Sequence, residues 1–347
     1  MKIDAIELEL PTRIVTNEEV LDLIKHKSKH SFQGDLKNTL NKIKLLLIKS
    51  GLKQRHWLNN NEKPIDLLGR SLERALTNAN CTKSEIDLLI YVGIGRGFIE
   101  PGGSYLVAHK FGLNNAHCFD VIDACMSWSR ALLIIHSFLK QGIYKRVAIV
   151  NAEFNMINGG PLFPKNYVLL NEEQVLYTFP SYTIGEAATV TILSSNTEND
   201  SWHFNFSTRP DLADLCTVPT AGFKMFCAES EKIGRNGTGN FTSYGMDLCK
   251  EGVPEAIKIF KQLPSSLNID YVFTHASSKK EWEIGAEQLG IKELVHFIYP
   301  KMGNLVSASI PAGIADSYRR GKLKRGNQVV CWVGSAGMSF AAYSFIF

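Results

Sequence analysis

The sequence has 347 residues and lacks any apolar run of the roughly 18–20 residues that a membrane-spanning helix needs. It has no C-x-x-C motif, no Cys/His pairing at zinc spacing and an odd number of cysteines, seven. A disulfide framework, a structural metal and a bound cofactor are therefore not expected. Its net charge of +4 is too small to indicate nucleic-acid binding.

The amino terminus also lacks a signal-peptide core. Its first residues, MKIDAIELELPTR, place acids inside an apolar stretch, a pattern typical of a strand. We therefore expect a cytoplasmic protein whose mature chain begins near Met1. A hydrophobic content of 45% predicts compact folding, and the length predicts two domain-sized units, 1–195 and 196–347.

Hydrophobic periodicity predicts an α/β protein in which strands and helices alternate. The predicted strands are 3–10, 86–94, 118–122, 146–152, 187–193, 271–275, 328–334 and 340–347, and the predicted helices are 17–24, 64–79, 103–111, 125–140, 247–262, 279–289 and 307–320. Continuous apolar strands indicate burial on both faces of a sheet.

A weak internal repeat relates the two halves. Cys125 and Ser307 each open an apolar helix and are 182 positions apart, and Val147 and Val329 begin the next strand at the same offset. A buried apolar helix in each half, flanked by buried strands, predicts five layers in which two sheets enclose two central helices. The amino ends of both helices would then meet at the seam between the halves.

Cys125 is placed at the first turn of its helix, where the dipole and unpaired N–H groups favour a thiolate. Thiols in such positions have pKa values of about 3.5–7.5. His275 follows a predicted strand at the edge where ligands bind in open α/β sheets, and Asn304 lies in a turn just before the second central helix. Each of these residues taken alone has an ordinary structural interpretation, as a buried thiol, a core histidine or a turn former.

Together they form a recognisable series of motifs: Asp-Ala-Cys125, Thr-His275-Ala-Ser, Gly-Asn304-Leu-Val-Ser-Ala-Ser-Ile-Pro and Gly334-Ser-Ala-Gly-Met-Ser. Their order and spacing resemble the β-ketoacyl-acyl-carrier-protein synthase III branch of the thiolase superfamily, over essentially the whole chain. The resemblance implies a thiolase-like five-layer α/β/α/β/α sandwich, a homodimer, a Cys-His-Asn triad and acyltransferase activity of class EC 2.3.1 on acyl thioesters.

The resemblance also implies a role for each residue. Cys125 would form an acyl-enzyme, and His275 and Asn304 would donate hydrogen bonds to the carbonyl of a second thioester. The backbone N–H groups of Cys125 and Ala336 would form the oxyanion hole.

Two departures from the family pattern concern substrate binding. Ser278 replaces the asparagine that follows the catalytic histidine. Leu45 and Lys49 stand where many members have a tryptophan and an arginine that bind coenzyme A. An acidic acyl carrier protein is therefore a candidate partner, docked on Lys49, Arg55, Lys280 or 319–325. Surface solubility is the alternative role of these charges.

A third departure lies in the segment Arg96-Gly-Phe-Ile-Glu100-Pro-Gly-Gly103. Ordinary synthase III members carry an apolar aromatic where Glu100 stands. A carboxylate there resembles the head-to-head acyl-condensing enzymes of olefin biosynthesis, in which it acts as a base across the dimer interface. Condensation without decarboxylation needs such a base, since an α-proton must be removed. The alternative is an exposed loop glutamate.

The sequence thus predicts Claisen condensation of a Cys125-bound acyl group with a second acyl or β-ketoacyl thioester, in fatty-acid-derived or polyketide-type metabolism. The alternatives are decarboxylative condensation with malonyl-carrier protein, acyl transfer to a hydroxyl or amine, and a non-enzymatic role as partner of an active paralogue. Aromatic and methionine side chains could line an acyl tunnel or form plain core; they are Trp128, Phe163, Phe223, Met225 and Phe226.

Overall fold

Two five-stranded sheets, one from each half of the chain, form the framework of the computed structural model, which describes residues 1–195 and 201–347. The strands are β1 (Lys2–Glu9), β2 (Arg13–Thr16), β3 (Gln54–Trp57), β4 (Leu88–Val92), β5 (His117–Val121), β6 (Arg146–Glu153), β7 (Ala187–Ser194), β8 (His203–Thr208), β9 (Cys216–Thr217), β10 (Thr242–Ser243), β11 (Tyr271–Thr274), β12 (Val295–His296), β13 (Gln328–Ser335) and β14 (Ser339–Ile346). The helices are α1 (Asn17–Ser28), α2 (Leu36–Ser50), α3 (Pro64–Asn78), α4 (Gly103–Phe111), α5 (Ser127–Lys140), α6 (Val175–Thr178), α7 (Gly245–Phe260), α8 (Lys279–Leu289), α9 (Tyr299–Met302) and α10 (Ser309–Arg319).

The two sheets have corresponding strand orders. The first runs β1-β7-β6-β4-β5 and the second β12-β11-β13-β14-β8. In the first sheet β4 pairs in parallel with both β5 and β6, and β7 is antiparallel to β6 and β1. β5 and β8 each end a sheet, so each leaves one edge unpaired within the chain.

Alternation along the buried strands produces the five layers. In β4, Ile90 faces the central layer with α5 and α10, whereas Leu89 faces the outer layer with α3 and α4. In β13, Val329 faces the same central layer, whereas Val330 packs outward against α7 and α8. Because side chains alternate across a sheet, a continuous apolar strand is apolar on both faces. The α/β class and the five-layer expectation are confirmed.

The repeat is visible in the backbone at the start of each central helix. Ala124 and Val306, which are 182 residues apart, both adopt left-handed conformations, with φ of 45° and 52°. The Ser127 hydroxyl donates to the Ala124 carbonyl at 2.7 Å, and the Ser309 hydroxyl donates to the Val306 carbonyl at 2.8 Å. Both residues lack glycine's freedom at positive φ, so surrounding packing must hold the two bends.

Most sequence-predicted elements are present, with small differences at their ends. The predicted helix at 17–24 extends to Ser28 and begins with a capping box between Thr16 and Glu19. The helix α2 and the strand β8 were not predicted. Polar residues in β8 face solvent while Phe204 and Phe206 pack against the central core.

The predicted domain boundary at 195/196 adjoins residues 196–200, which lie outside the described residues, and it stays a prediction. Among the helices of 1–195 and 201–347, none combines the length and apolarity required to cross a bilayer.

A glycine next to Asn304 gives a test of how tightly the seam is packed. Gly303 has φ of 76°, and a Cβ there would lie 2.6 Å from the Thr183 carbonyl oxygen and 2.9 Å from Arg55 Cβ. Gly321 also has a positive φ, 68°, but a Cβ there would meet no atom within 4 Å. We expect Gly321→Ala to lower the free energy of unfolding by about 1–2 kcal/mol through backbone strain.

Gly303→Ala adds a clash with backbone atoms to that strain, so its expected cost is about 4 kcal/mol or more. Urea denaturation of both variants measures the difference. Equal losses for the two substitutions would show that the backbone around 303 can move aside.

Candidate active site

Cys125 lies on a sharp bend between β5 and α5. Its short 3-10 turn, Ala124–Met126, follows the left-handed Ala124 and leads directly into the central helix. The Cys125 side chain is half-buried and packs against a small apolar cluster that includes Ile184 and Val306. The bend therefore turns the thiol from the first half toward residues of the second half.

The protonation state of Cys125 differs from the sequence-based expectation. Burial raises the pKa of this thiol well above its ordinary value, and the neighbouring Cys216 and Glu153 raise it further. The backbone N–H of Cys125 acts in the opposite direction but is the weaker influence. The prediction of a lowered pKa was wrong for the free protein, because desolvation outweighs the helix terminus when no cation faces the sulfur.

His275 lies at the carboxyl end of β11, buried within the seam. Burial lowers its pKa to about 4, although the Asn304 side chain and the Gly334 backbone both favour its charged form. Neither neighbour completes a hydrogen bond, so within 1–195 and 201–347 both buried ring nitrogens have no hydrogen-bond partner. A neutral imidazole with unsatisfied nitrogens is suited to receive a polar group of a ligand.

Backbone contacts with the first half hold Asn304 in place. Its N–H donates to the Thr183 carbonyl at 2.9 Å, and its carbonyl accepts from the Gly185 N–H at 2.9 Å. The side-chain Oδ1 accepts from the Val306 N–H at 2.9 Å. With Oδ1 engaged, Nδ2 is the donor available to a substrate carbonyl.

The turn after β13 lies against the Cys125 bend. The Ser335 hydroxyl accepts from the Met126 N–H at 3.2 Å and donates to the Asp123 carbonyl at 3.4 Å. Ala336 follows in the turn to β14 and is half-buried. The predicted oxyanion donors, the N–H groups of Cys125 and Ala336, thus belong to two segments that are joined by direct hydrogen bonds.

Glu153 is a buried carboxylate beside this site that the sequence analysis missed. It accepts from the Gly95 N–H at 2.8 Å and from Asn155 Nδ2 at 3.0 Å, and it also accepts the Ser307 hydroxyl. Burial raises its pKa. The available signal was its position, since a charged residue at the carboxyl end of an apolar strand often faces a ligand crevice.

Glu100 lies apart from these groups in the single chain. It is exposed, at the tip of the loop between β4 and α4, beside Phe98 and Ile99, which are 54% and 83% exposed. A desolvated position for Glu100 is therefore not formed by this chain alone.

Two predicted binding residues are structural. Arg55 is wholly buried and donates to Asn17 Oδ1 and to the Tyr182 carbonyl, both at 2.9 Å, so it cannot contact a carrier protein. Ser278 is buried and caps α8 by accepting from the Glu281 N–H at 3.4 Å. The docking prediction for Arg55 was wrong, because burial among distant parts of the chain keeps its guanidinium from the surface. The prediction for Ser278 stays a prediction.

Lys49 and Lys280 are exposed, as the docking prediction requires. They lie on α2 and α8, which pack together where Gly51 meets Lys279. Burial raises the pKa of Cys249 to about 11, its hydrogen-bond partner Glu281 raises it further, and the charge of the neighbouring Lys49 acts weakly in the opposite direction. Lysines from two adjacent helices therefore share one surface with the exposed Leu45.

The other proposed basic patch, 319–325, is largely occupied by the chain itself. Arg319 pairs with Glu7 at 3.0 Å, and Arg325 donates to the carbonyls of Ile3 and Asp4. These contacts join α10 and the following turn to β1, so this patch offers few free cations.

The candidate tunnel residues differ in burial. Trp128 is buried and donates to the Thr191 hydroxyl at 3.1 Å, while Phe163 and Phe223 are half-buried. Met225 and Phe226 are 87% and 88% exposed, so in the isolated chain they face solvent and line no enclosed tunnel.

Comparison with known proteins identifies the fold and chemistry around this site. The 3-oxoacyl-[acyl-carrier-protein (ACP)] synthase III C-terminal family profile matches residues 264–346. β-Ketoacyl-[acyl-carrier-protein] synthase III of Aliarcobacter butzleri is 27% identical over 308 residues, covering 86% of this chain and 88% of that protein. The Ehrlichia canis enzyme of the same name is 25% identical, covering 95% and 94%.

Among solved structures, Xanthomonas campestris OleA with bound lauric acid and lauroyl-CoA superposes with a TM-score of 0.81 at 18% identity, covering 99% of this chain and 98% of that one. The chain is thus similar in sequence to synthase III condensing enzymes over most of its length, and it has the fold of OleA. These similarities indicate an acyltransferase of class EC 2.3.1 with thiolase-type Claisen chemistry. A cerulenin-bound OleA structure has the same fold, also with a TM-score of 0.81.

The pKa shifts at Cys125 and His275 predict how the free condensing enzyme reacts with an alkylating agent. With a raised thiol pKa and an imidazole pKa of about 4, Cys125 is a neutral thiol and His275 a neutral imidazole between about pH 5 and 8. We expect its iodoacetamide labelling rate to increase with pH beyond pH 9, with no plateau at lower pH.

Timed labelling followed by peptide mass spectrometry measures this rate, with the exposed Cys227 of the same chain as internal comparison. A labelling rate at Cys125 that stays constant from pH 5 to 8 would instead demonstrate a thiolate-imidazolium pair.

Proposed function

We propose that this condensing enzyme joins two fatty-acyl thioesters without decarboxylation. Cys125 carries the first acyl group, His275 and Asn304 bind the carbonyl of the second thioester, and Glu100 of the other subunit removes its α-proton. The observation that carries the proposal is the position of Glu100, at the exposed tip of a loop with apolar neighbours, on a chain that groups the other three residues at one seam.

Loading begins with attack of the Cys125 sulfur on the carbonyl carbon of an acyl thioester. His275 takes the thiol proton as the C–S bond forms, and the N–H groups of Cys125 and Ala336 bind the oxyanion. The bond to the carrier thiol then breaks, and the departing thiolate takes the proton from His275. This sequence requires no lasting charge in the buried site, which suits the neutral Cys125-His275 pair.

Condensation requires a carbanion from the second thioester. Glu100 accepts a proton from the α-carbon, and the resulting enolate oxygen is held by His275 and Asn304. The α-carbon attacks the carbonyl carbon of the acyl-enzyme, a carbon–carbon bond forms, and the Cys125–acyl bond breaks to leave a thiolate. The proton held by Glu100 then returns to the Cys125 sulfur through solvent, which restores both groups. The product is a β-ketoacyl thioester that carries an alkyl branch at its α-carbon.

A homodimer is part of this proposal. Phe98 and Ile99 are exposed at the loop tip, and the outer edge of the nearby β5 pairs with no other strand of the described residues. Apolar side chains at a loop tip beside an open sheet edge favour coverage by a second copy. Glu100 would then lie in the partner's site, where desolvation strengthens it as a base.

The fold similarity to OleA supports long-chain substrates, since OleA was solved with lauric acid and lauroyl-CoA. The solved OleA set also includes variants in which a cysteine, a glutamate or a histidine is replaced. We therefore assign the product to fatty-acid-derived or polyketide-type metabolism.

Decarboxylative condensation with a malonyl thioester is the second candidate. It is favoured by the names of the relatives at 25–27% identity, all of which are synthase III enzymes. In that reaction loss of CO2 generates the carbanion, so Glu100 would not be needed.

Glu100→Ala separates the two candidates. With fatty acyl-CoA as sole substrate, we expect condensation to fall by at least about 100-fold because proton abstraction is lost, while acylation of Cys125 continues. Product analysis and intact-protein mass measure the two steps, and Glu73→Ala, which replaces an exposed glutamate on α3, is the control.

Unchanged turnover of malonyl substrates by Glu100→Ala, with no product from acyl-CoA alone in the wild type, would instead support decarboxylation. A product without a new carbon–carbon bond would indicate acyl transfer to a hydroxyl or amine, and absence of acyl-Cys125 would indicate a non-enzymatic subunit.

Mixing subunits tests the dimer. Glu100→Ala and Cys125→Ser are each expected to be inactive in condensation, but a mixed dimer would contain one site with both groups. Random exchange of subunits would restore about one quarter of wild-type activity. No recovery after verified exchange would place Glu100 in its own subunit's site or outside catalysis.

We further propose that Lys49 and Lys280 dock an acidic acyl carrier protein. Both are exposed on adjacent helices beside Leu45, so the surface combines positive charge with an apolar side chain. Such a surface complements an acidic helix, and its attraction is weakened by salt.

The variant Lys49→Glu/Lys280→Glu should raise KM for a carrier-bound acyl donor at least about 10-fold by placing like charges together. Acylation by a short pantetheine thioester should stay within about twofold, since that donor lacks the protein surface. Lys145→Glu, which changes an exposed lysine at the start of β6, is the control. Equal effects on both donors would assign the lysines to the thioester arm instead of the carrier.

A further inference from the structure

We propose that Asp120 and Arg96 are positioning residues that hold the Glu100 loop rigid at its base. The loop tip could then enter the other subunit's site without a change of conformation. This inference rests on the proposed function, since it concerns the residue that would act as base. The hydrogen bonds that close the base of the loop are the observations that support this role.

The loop leaves the sheet between two neighbouring strands, and side chains of both strands bind it through hydrogen bonds. It spans residues 93–102 and connects β4 to α4. β4 lies between β5 and β6 in the first sheet, and Tyr91 of β4 pairs with Asp120 of β5. A carboxylate on each flanking strand, Asp120 and Glu153, faces the loop.

Asp120 connects the two ends of the loop. Its Oδ2 accepts from the Arg96 guanidinium at 2.8 Å and from the Gly103 N–H at 2.7 Å, and its Oδ1 accepts from the Ser104 N–H at 3.0 Å. Gly103 and Ser104 begin α4, so the carboxylate also caps that helix. One side chain thus closes the loop across eight residues.

Arg96 links that carboxylate to the strand end. It donates to the Gly93 carbonyl at 2.7 Å, and its guanidinium lies over the Tyr91 ring, 5.5 Å from the centroid. The side chains of Arg96 and Asp120 are only 11% and 12% exposed. Buried, charge-assisted pairs with several donors are stronger and more directional than surface pairs.

Glu153 grips the opposite side of the loop entry. It accepts from the Ile94 N–H at 3.3 Å and from the Gly95 N–H at 2.8 Å. The Tyr91 hydroxyl adds a bond to the Gly95 carbonyl at 2.5 Å. The segment 94–96 is therefore fixed from three directions.

By contrast, the tip makes few contacts with its own chain. A Cβ at Gly97 would meet no atom within 4 Å, and Ile99 is 83% exposed. A tight base beneath a free tip is the geometry of an element that projects into another body. Fixing the base beforehand reduces the ordering entropy that would otherwise oppose placing Glu100 against a reacting carbon.

Asp120→Asn tests the role in catalysis. Asparagine preserves the size of the side chain but removes the charge opposite Arg96 and one acceptor. We expect kcat for condensation of acyl-CoA to fall about 10-fold or more through misplacement of Glu100. Acylation of Cys125 should stay within about twofold. Arg96→Met should behave like Asp120→Asn, and Arg96→Lys, which keeps the charge, should recover part of the loss.

Combination with Glu100→Ala distinguishes the inference from the proposed function. If Asp120 acts through Glu100, adding Asp120→Asn to Glu100→Ala causes no further loss of condensation. A further tenfold loss in the double variant would overturn the inference while leaving the proposed function intact. If Glu100→Ala alone leaves condensation unchanged, the proposed function is wrong. Whether Asp120 and Arg96 hold the loop rigid is then tested by hydrogen exchange of the loop amides.

Hydrogen exchange of the dimeric protein provides that readout. Asp120→Asn should accelerate exchange of amides in 94–104 at least about 10-fold. The matched control is Asp87→Asn, because Asp87 likewise accepts from two successive backbone amides, those of Lys145 at 2.7 Å and Arg146 at 3.0 Å, at the other end of the sheet. Unchanged exchange in 94–104 for Asp120→Asn would overturn the inference.

Discussion

The structure depends on burying the amino ends of two apolar helices against each other between two sheets. Helix termini carry unpaired N–H groups that must find acceptors when water is excluded. The chain supplies acceptors from the opposite half: the Ser335 hydroxyl accepts from the Met126 N–H at the first helix, and Glu153 accepts from the Ser307 N–H at 3.4 Å at the second. Because each half completes the other, neither bend can keep its geometry alone. The same requirement places Cys125 within one cluster with Val306, close to Asn304.

This packing also determines the electrostatics of the site. Removal of water raises the pKa of Cys125 and lowers that of His275 to about 4, so the pair is neutral when empty. A buried ion pair would have needed further hydrogen bonds to offset its desolvation. The unpartnered ring nitrogens of His275 indicate that such bonds are absent until a ligand supplies them. In the proposed reaction the thiol would lose its proton to His275 only when a thioester is bound.

The architecture could be predicted from the sequence because its signals are local and repeated. Apolar strands, the capping box at Thr16 and the 182-residue offset each depend on a few neighbouring residues. Arg55 could not be predicted, because its acceptors, Asn17 and the Tyr182 carbonyl, come from segments far apart in the chain. The prediction of a lowered pKa for Cys125 was wrong for a related reason. A helix terminus is visible in a sequence, whereas the amount of water removed from a side chain is not.

If Glu100 acts as proposed, a change of chemistry is confined to one position in this fold. The loop base is built from a carboxylate-arginine pair and backbone amides. The tip residues make almost no contacts with their own chain, so a substitution there costs little folding free energy. With a rigid base and an exposed tip, the residue at the tip can change while the free energy of folding stays nearly the same. An apolar side chain at the tip would shape an acyl site, whereas a carboxylate delivered by the same base adds a proton acceptor to an otherwise unchanged thioester site.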